Sequence, residues 1–414
     1  MGTGSFGRNH LRVYRELETA GLGVALVAAI DPNPERAAET AEKYAIPVFA
    51  SADALLAADL KVDAATVAVP TVYHHAVAAQ LLVAGLDLLV EKPIAATLAE
   101  ADDLIRIARK NKRILQPGHL ERFNPAVMAV EPKLKRPMFF ESHRLSVYTP
   151  RALDVDVVLD LMIHDLDVVL KFANSPVREV RAVGLPILSP KVDIANVRVE
   201  FESGCVANFT ASRVSTERVR KLRFFEPGQY VSIDYARQDL LMIRIDPVSS
   251  RQDSGAEAAK PGFNMAGLMA LAGSLSPEVL ASLPPELIAG FKAGMTAGKF
   301  DPSLLTQLAA TGKVDPVVLA KASALLGVTP SPQAEAASDG PAPGLSFVKP
   351  EVTPGEPLKL EISSFLDSVR TRREPRVTAR QGRNALELAL EIQSTMVAHA
   401  ERAGLSDFFA ASGD

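Results

Sequence analysis

Two short stretches of this 414-residue chain carry side chains able to move a proton. In Asp160-Leu-Met-Ile-His164 a carboxylate and an imidazole stand four residues apart, which on a helix is one face. An imidazole titrates near neutral pH and can take a hydroxyl proton, and a carboxylate at that spacing can line the same site. Such a pair on a helix also reads as a satisfied structural pair. The second stretch is Glu91-Lys92-Pro93. It follows the apolar run Leu88-Leu-Val90, a buried strand stopped by Pro93, so Lys92 falls at the carboxyl edge of a sheet, where open α/β sheets bind ligands. Its ammonium can donate to a substrate oxygen or a ribose hydroxyl, and a nearby cationic ring would lower its pKa. Lys92, Asp160 and His164 are the catalytic candidates. Lys92 and His164 both have the chemistry of a base, and the sequence does not choose between them.

A third stretch is suited to phosphate. Gly2-Thr-Gly4-Ser5-Phe6-Gly7 has the G-x-G-x-x-G spacing, in which one Gly permits a tight turn, one lets backbone approach a pyrophosphate and one lets helix pack on sheet. A helix over residues 8–17 would aim its N-terminal amides at the phosphate. Asp31 ends the next apolar run, 24 residues after Gly7. A carboxylate there accepts hydrogen bonds from the adenosine ribose and repels a 2′-phosphate, which favours NAD over NADP as cofactor.

The elements that must position these groups follow from periodicity. Leu26-Val-Ala-Ala-Ile30, Ala65-Thr-Val-Ala-Val69, Leu88-Leu-Val90 and Arg113-Ile-Leu115 read as short buried strands, separated by helices over 34–44, 75–84 and 98–111. Apolar strands alternating with helices mean an α/β, Rossmann-type doubly wound parallel sheet, placed over residues 1–120. Beyond it, period-two strands over 139–147, 180–185, 195–201, 206–212 and 221–225, with a Glu202-Ser-Gly204 hairpin turn, predict an α+β domain with a largely antiparallel open sheet, over 121–248 and 345–414. Residues 249–344 read as a helical insertion, whose helices restart at Ser276-Pro277, Asp301-Pro302 and Asp315-Pro316, closed by a Pro/Ala/Ser-rich linker over 329–344.

In order along the chain, Gly2-x-Gly-x-x-Gly-x-x-His10, Pro70-x-x-x-His74, Glu91-Lys92-Pro93 and Asp160-x-x-x-His164 resemble the motifs of the Gfo/Idh/MocA oxidoreductase family. The resemblance implies NAD(P)-dependent chemistry at a sugar-type carbinol carbon, with Lys92, Asp160 and His164 in the catalytic positions and Pro70, Glu91 and Lys92 beside the cofactor. His74 matches a cofactor-side position, where a structural histidine reads equally well. It also implies that the second sheet forms a homo-oligomer interface, in a dimer or tetramer. Gly118-His-Leu-Glu-Arg122-Phe-Asn124-Pro125, His143-Arg144-Leu145, Pro150-Arg151 and the run from Asp154 to Asp165 are similar to a narrower group, dehydrogenases that oxidise C3 of UDP-N-acetylglucosamine toward a lipid A precursor. That likeness implies a nucleotide-sugar substrate bound by Arg122, Asn124, Arg144 and Arg151. A diphosphate wants fixed cations, although arginines in these places also read as ordinary structural residues. The alternatives are a family dehydrogenase acting on a free polyol or monosaccharide, and a non-catalytic NAD-bound regulatory protein docking through residues 249–344.

Composition narrows the field. The chain has 45 Lys+Arg against 49 Asp+Glu, a net charge of −4, which gives no reason to expect nucleic-acid or membrane-surface binding. Its uncharged stretch from Ala64 to Leu86 is interrupted by Pro70, His74, His75 and Gln80, a poor membrane span. A single cysteine, Cys205, excludes an internal disulfide and a multi-cysteine metal site. A cytoplasmic location and no metal are expected. One feature does not fit: a glycine turn of this kind should follow a strand, yet only Met1 precedes it. Four large buried side chains at roughly 1.5–3 kcal/mol each amount to about 6–12 kcal/mol, comparable to the stability of about 5–15 kcal/mol of a whole domain. The expectation is that a strand belongs ahead of Met1. A version extended upstream by such a strand should melt higher and bind NAD more tightly than the 414-residue chain. Equal melting and equal affinity would contradict it.

Overall fold

The structure is a computed structural model that describes residues 1–149, 155–245 and 345–405, together with Ala289. The expected insertion, its helix restarts and its linker lie outside the described residues, Ala289 apart, as does Arg151. Residues Met1–Asp246 and Leu345–Asp414 belong to one compact unit.

The unit begins with helix α1 (Ser5–Thr19), which starts on Gly4 and buries Gly7, His10, Leu11, Val13 and Leu17 at spacings of one to four residues. Strand β1 (Ala29–Ile30) pairs in parallel with β2 (Val48–Phe49), with α2 (Pro34–Tyr44) between them. Asn33 caps α2 and Pro34 occupies its first turn. After α3 (Ala52–Ala57) come β3 (Ala64–Val67), α4 (His74–Val83), β4 (Asp87–Glu91), α5 (Leu98–Lys110) and β5 (Leu115–Gly118), giving a parallel β3-β4-β5 sheet. Strand β4 is buried along its whole length and divides its side chains between two cores. Leu88 and Val90 pack with α4 and α5, while Leu89 packs on the other face with Val13, Leu17 and Phe365.

The parallel strands form two pieces. Only Ala29 and Ile30 of the expected 26–30 strand are paired, because the chain from Gly23 to Ile30 borders a cleft of about 650 Å³ whose opposite wall includes Lys61–Thr66. Met1 and Gly2 cross it at one end. The Met1 nitrogen donates to the Thr66 carbonyl (2.7 Å), Ala68 N–H to the Met1 carbonyl (2.8 Å) and Gly2 N–H to the Ile30 carbonyl (2.8 Å). The Met1 bonds have the pattern of a parallel rung.

The second layer starts with α6 (Pro125–Val130) and β6 (Phe139–Leu145). A π-helical turn (Val158–Met162) runs straight into α7 (Ile163–Ala173). Strands β7 (Val177–Leu185), β8 (Ile194–Phe201), β9 (Val206–Ser212), β10 (Val219–Glu226), β11 (Gln229–Asp234), β12 (Asp239–Ile245) and β13 (Leu345–Val348) complete an eight-stranded sheet. Its order is β13-β12-β11-β10-β6-β9-β8-β7, antiparallel throughout except for the β6–β9 pair. The turn at Gly204, with φ of +81°, joins β8 to β9 as its sequence predicts. Helix α8 (Pro357–Thr371) packs beside α1 on the parallel sheet, although its place in the chain suggested the second domain. Helix α9 (Ala379–Arg402), opened by a Thr378–Gln381 capping box, covers the large sheet next to α7. Among the described residues no helix is long and apolar enough to cross a membrane.

Glu361 on α8 is fully buried, and among the described residues both its carboxyl oxygens lack a partner. Burial holds its pKa well above the ordinary carboxylate value, with Glu91 and Asp167 adding repulsion. As pH rises above the unfolded value near 4.5, the unfolded chain loses this proton and the folded chain keeps it, so the group lowers stability with rising pH. Glu361→Gln should therefore gain on the parent in melting temperature from pH 5 to pH 8. Parallel melting curves across that range would contradict the assignment.

Candidate active site

The glycine turn has the shape its spacing predicts. Gly2 has φ of +81°, and a Cβ there would stand 2.5 Å from the Ala68 carbonyl oxygen. A Cβ on Gly7 would come within 1.8 Å of the Gly2 carbonyl oxygen. At Gly4 a Cβ would meet nothing within 4 Å, so a ligand's phosphates can approach the backbone there. Gly4 caps α1, and Ser5 and Phe6 form its exposed first turn, where unpaired N–H groups favour an anion. The residues present fit a dinucleotide.

Asp31 directly follows β1 and is 2% exposed. Its carboxylate accepts from Thr3 N–H and Oγ1 (both 2.8 Å), from Asn33 N–H (2.9 Å) and from the Arg36 guanidinium (3.0 Å). Burial opposes its ionisation, but these donors outweigh it and hold the pKa at about 2. Arg36 was not singled out from the sequence; its place one turn into α2 was the available signal.

Lys92 follows the last residue of β4. Its Nζ donates to the carbonyls of Asp160 (2.6 Å) and Leu159 (3.4 Å) and lies 4.0 Å from Asp160 Oδ1. The two stretches that carry the catalytic candidates, 68 residues apart, thus meet. Burial presses the Lys92 ammonium below its ordinary value, against the pull of Asp160 and Glu91, and Arg144 adds to the downward push. Asp160 sits in the π turn and His164 in the first turn of α7, so the expected single α-helical face is a π-to-α junction instead. The wider turn is set from its N-terminal side, where Asp156 Oδ1 accepts from the N–H groups of Val158 (2.8 Å) and Leu159 (3.0 Å). Wide turns of this kind recur at functional sites. Among the described residues His164 Nδ1 is enclosed without a partner, which leaves Nε2 to meet a ligand. Burial holds this imidazole well below its ordinary value, and its positive neighbours Lys92, Arg144, His119 and Arg220 push the same way.

The expected cofactor-side residues divide. Glu91 Oε1 is 2.8 Å from His10 Nε2, and Glu91 Oε2 accepts from Lys92 N–H (3.3 Å), so this carboxylate ties α1 to the segment bearing Lys92. A Cβ on Gly118 would stand 3.0 Å from it, which is why β5 ends on glycine. His74 is buried, with Nδ1 2.8 Å from the Pro93 carbonyl and Nε2 2.9 Å from the Val69 carbonyl, and burial lowers its pKa. A neutral imidazole donates to only one of them. His74 therefore braces the backbone around Lys92. Pro70 is exposed between β3 and α4.

The residues expected to bind substrate have internal partners. Arg122, 1% exposed, pairs with Asp167 (3.4 Å) and the Arg376 carbonyl. Asn124, 2% exposed, caps α6 and donates to Glu121 and the Tyr235 carbonyl. Arg144, 2% exposed, is held by Asp165 (2.5 Å) and Glu121 (3.0 Å), under the Tyr235 ring. These guanidiniums are already neutralised, which a list of arginines near a cleft does not reveal. Arg144 acts on the site from behind, since Asp165 directly follows His164. Sequence reasoning missed Glu121, the partner role of Asp165, and Arg220.

Comparison with known proteins finds family matches over both sheets. The description "Oxidoreductase family, NAD-binding Rossmann fold" matches residues 1–119, and "GFO/IDH/MocA C-terminal domain" matches residues 131–225. A UDP-N-acetylglucosamine 3-dehydrogenase of Acidithiobacillus ferrooxidans is 38% identical over 241 residues, covering 58% of this chain and 74% of that one. A solved structure of the same-named enzyme superposes with a TM-score of 0.68 at 27% identity, covering 96% of each chain. An inositol 2-dehydrogenase of Acidothermus cellulolyticus is 27% identical over 190 residues, 44% of this chain and 55% of that one. With a phosphate turn of the right shape, NAD as its cofactor and dehydrogenase relatives that act on hydroxyl groups, the chain belongs to the Gfo/Idh/MocA family of oxidoreductases.

Proposed function

We propose that the chain oxidises the C3 hydroxyl of a nucleotide sugar, UDP-N-acetylglucosamine, to the 3-keto sugar. The observation that carries the reading is the meeting of Lys92 with the Asp160 turn, one turn ahead of His164, beside a dinucleotide-shaped glycine turn. The 38% identical dehydrogenase supports the choice of sugar. NAD⁺, when bound, supplies the hydride acceptor. Gly2, Gly4 and Gly7 would admit its phosphates and Asp31 its ribose. His164, kept neutral by burial and positive neighbours, takes the hydroxyl proton. Lys92 donates a hydrogen bond to the same oxygen and steadies its developing negative charge. Asp160 orients Lys92 and balances its charge. A 3-keto sugar is a substrate for an aminotransferase, which would consume the product in the making of a lipid A precursor in the cytoplasm.

A second reading, oxidation of a free polyol, is favoured by the inositol dehydrogenase relative. We also propose that a second copy of the chain covers the outer face of the eight-stranded sheet. Phe139, Phe225, Tyr230, Ile243 and Phe347 stand opposite one another across five strands there, and Phe225 and Phe347 are 37% and 55% exposed. Sedimentation velocity should show a dimer or tetramer that Phe225→Asp weakens; a parent that sediments as a monomer would contradict this interface.

Mixing the protein with NAD⁺ and UDP-N-acetylglucosamine should raise NADH absorbance. Turnover of inositol or glucose with none of the nucleotide sugar would transfer the reading to the polyol. Lys92→Met and His164→Ala should each lose about two or more orders of magnitude in kcat while still binding NAD. A base works in its proton-free form, so kcat/KM should rise with pH along a limb lying below the ordinary imidazole value of 6.5, and the limb should vanish in His164→Ala. A limb above 6.5 that vanishes in Lys92→Met would make Lys92 the base.

A further inference from the structure

Arg220 on β10 stands directly opposite Arg144 on β6 in the strand register. Opposed residues on paired strands project to the same face, here the inner face that also carries Ser142, Leu222 and Phe224. The two guanidiniums are treated very differently. Arg144 has the carboxylates of both Glu121 and Asp165. The Arg220 side chain, half-buried beside it, makes no hydrogen bond or ion pair among the described residues, and its Nε is enclosed without a partner among them. The two nearby acids already face Arg144. A partly desolvated cation with no counter-charge is costly to keep, and next to a second cation more so. Burial and the adjoining Arg144 lower the Arg220 pKa, and Arg220 in turn belongs to the positive surroundings of His164. Exposed Arg218, two residues earlier, adds a further positive charge nearby.

We propose that Arg220 is the substrate's anion clamp, its planar guanidinium pairing with the diphosphate of the nucleotide sugar and so holding the sugar ring at His164. The inference rests on the nucleotide-sugar reading above and names the residue that would enforce it, since a polyol offers no anion to this guanidinium. A guanidinium matches phosphate oxygens in a two-pronged fashion that a lysine ammonium does not. This is a specificity role, distinct from the proton chemistry of Lys92 and His164.

The test measures UDP binding by calorimetry on the NAD-loaded protein, together with steady-state kinetics, for the parent, Arg220→Gln and Arg220→Lys. Loss of a hydrogen-bonded charge pair corresponds to roughly ten- to hundredfold. Arg220→Gln should weaken UDP binding and raise KM for UDP-N-acetylglucosamine by that factor, with kcat changed less than about threefold and NAD affinity unchanged; Arg220→Lys should recover part of the loss. Parent-like UDP affinity and KM in Arg220→Gln would overturn the clamp and leave the nucleotide-sugar reading standing. A parent that binds no UDP and oxidises only a free polyol would overturn both.

Discussion

An ammonium removed from water must be met by acceptors, and Lys92 finds them at the carbonyls of Leu159 and Asp160. The rest of the site depends on that contact. Lys92 comes from the end of β4, fixed by the parallel sheet, whereas the carbonyls belong to the turn that leads into α7, fixed by the antiparallel sheet. Each layer brings one of the two candidate segments, and the bonded ammonium brings them together. The turn that presents these two carbonyls is π-helical, and each carbonyl has a lone pair to spare for the ammonium.

Around this contact the charges are arranged so that the two candidate bases sit low in pKa while structural cations stay charged. Arg144 is permanently charged and closely paired, so it raises the local potential without competing for substrate protons. His164 lies in that field beside Lys92 and remains neutral, the form in which an imidazole accepts a proton. Glu91 connects Lys92 through His10 to α1, and His74 grips the Pro93 carbonyl from the other side. The glycine turn and Lys92 are thereby held by one set of buried polar bonds, which is how a site built from distant segments keeps its geometry.

Much of this was legible in the sequence because the relevant signals are local. The glycine spacing, the helices over 34–44 and 98–111 and the strand through Leu88–Val90 are each set within a few residues. That Lys92 and the Asp160–His164 stretch belong together was suggested by their residue types and motif order, and the structure brings Lys92 against the Asp160 turn. What was not legible depends on partners distant in the chain. Arg122 and Arg144 resemble substrate cations until Asp167, Glu121 and Asp165 are found against them. The reverse holds for Arg220, which no motif distinguishes and which stands out only because its neighbours are already paired. The π turn is a matter of register that a four-residue spacing cannot express, and α8 crosses to the parallel sheet because its apolar face fits Val13 and Leu17.

The most direct test is a structure of the ternary complex with the oxidised cofactor and UDP-N-acetylglucosamine. The account predicts Lys92 Nζ and His164 Nε2 both within hydrogen-bonding distance of the C3 oxygen, with the C3 hydrogen facing the nicotinamide. A bound sugar whose C3 oxygen contacts neither nitrogen, or a complex in which His164 points away from the ring, would contradict it.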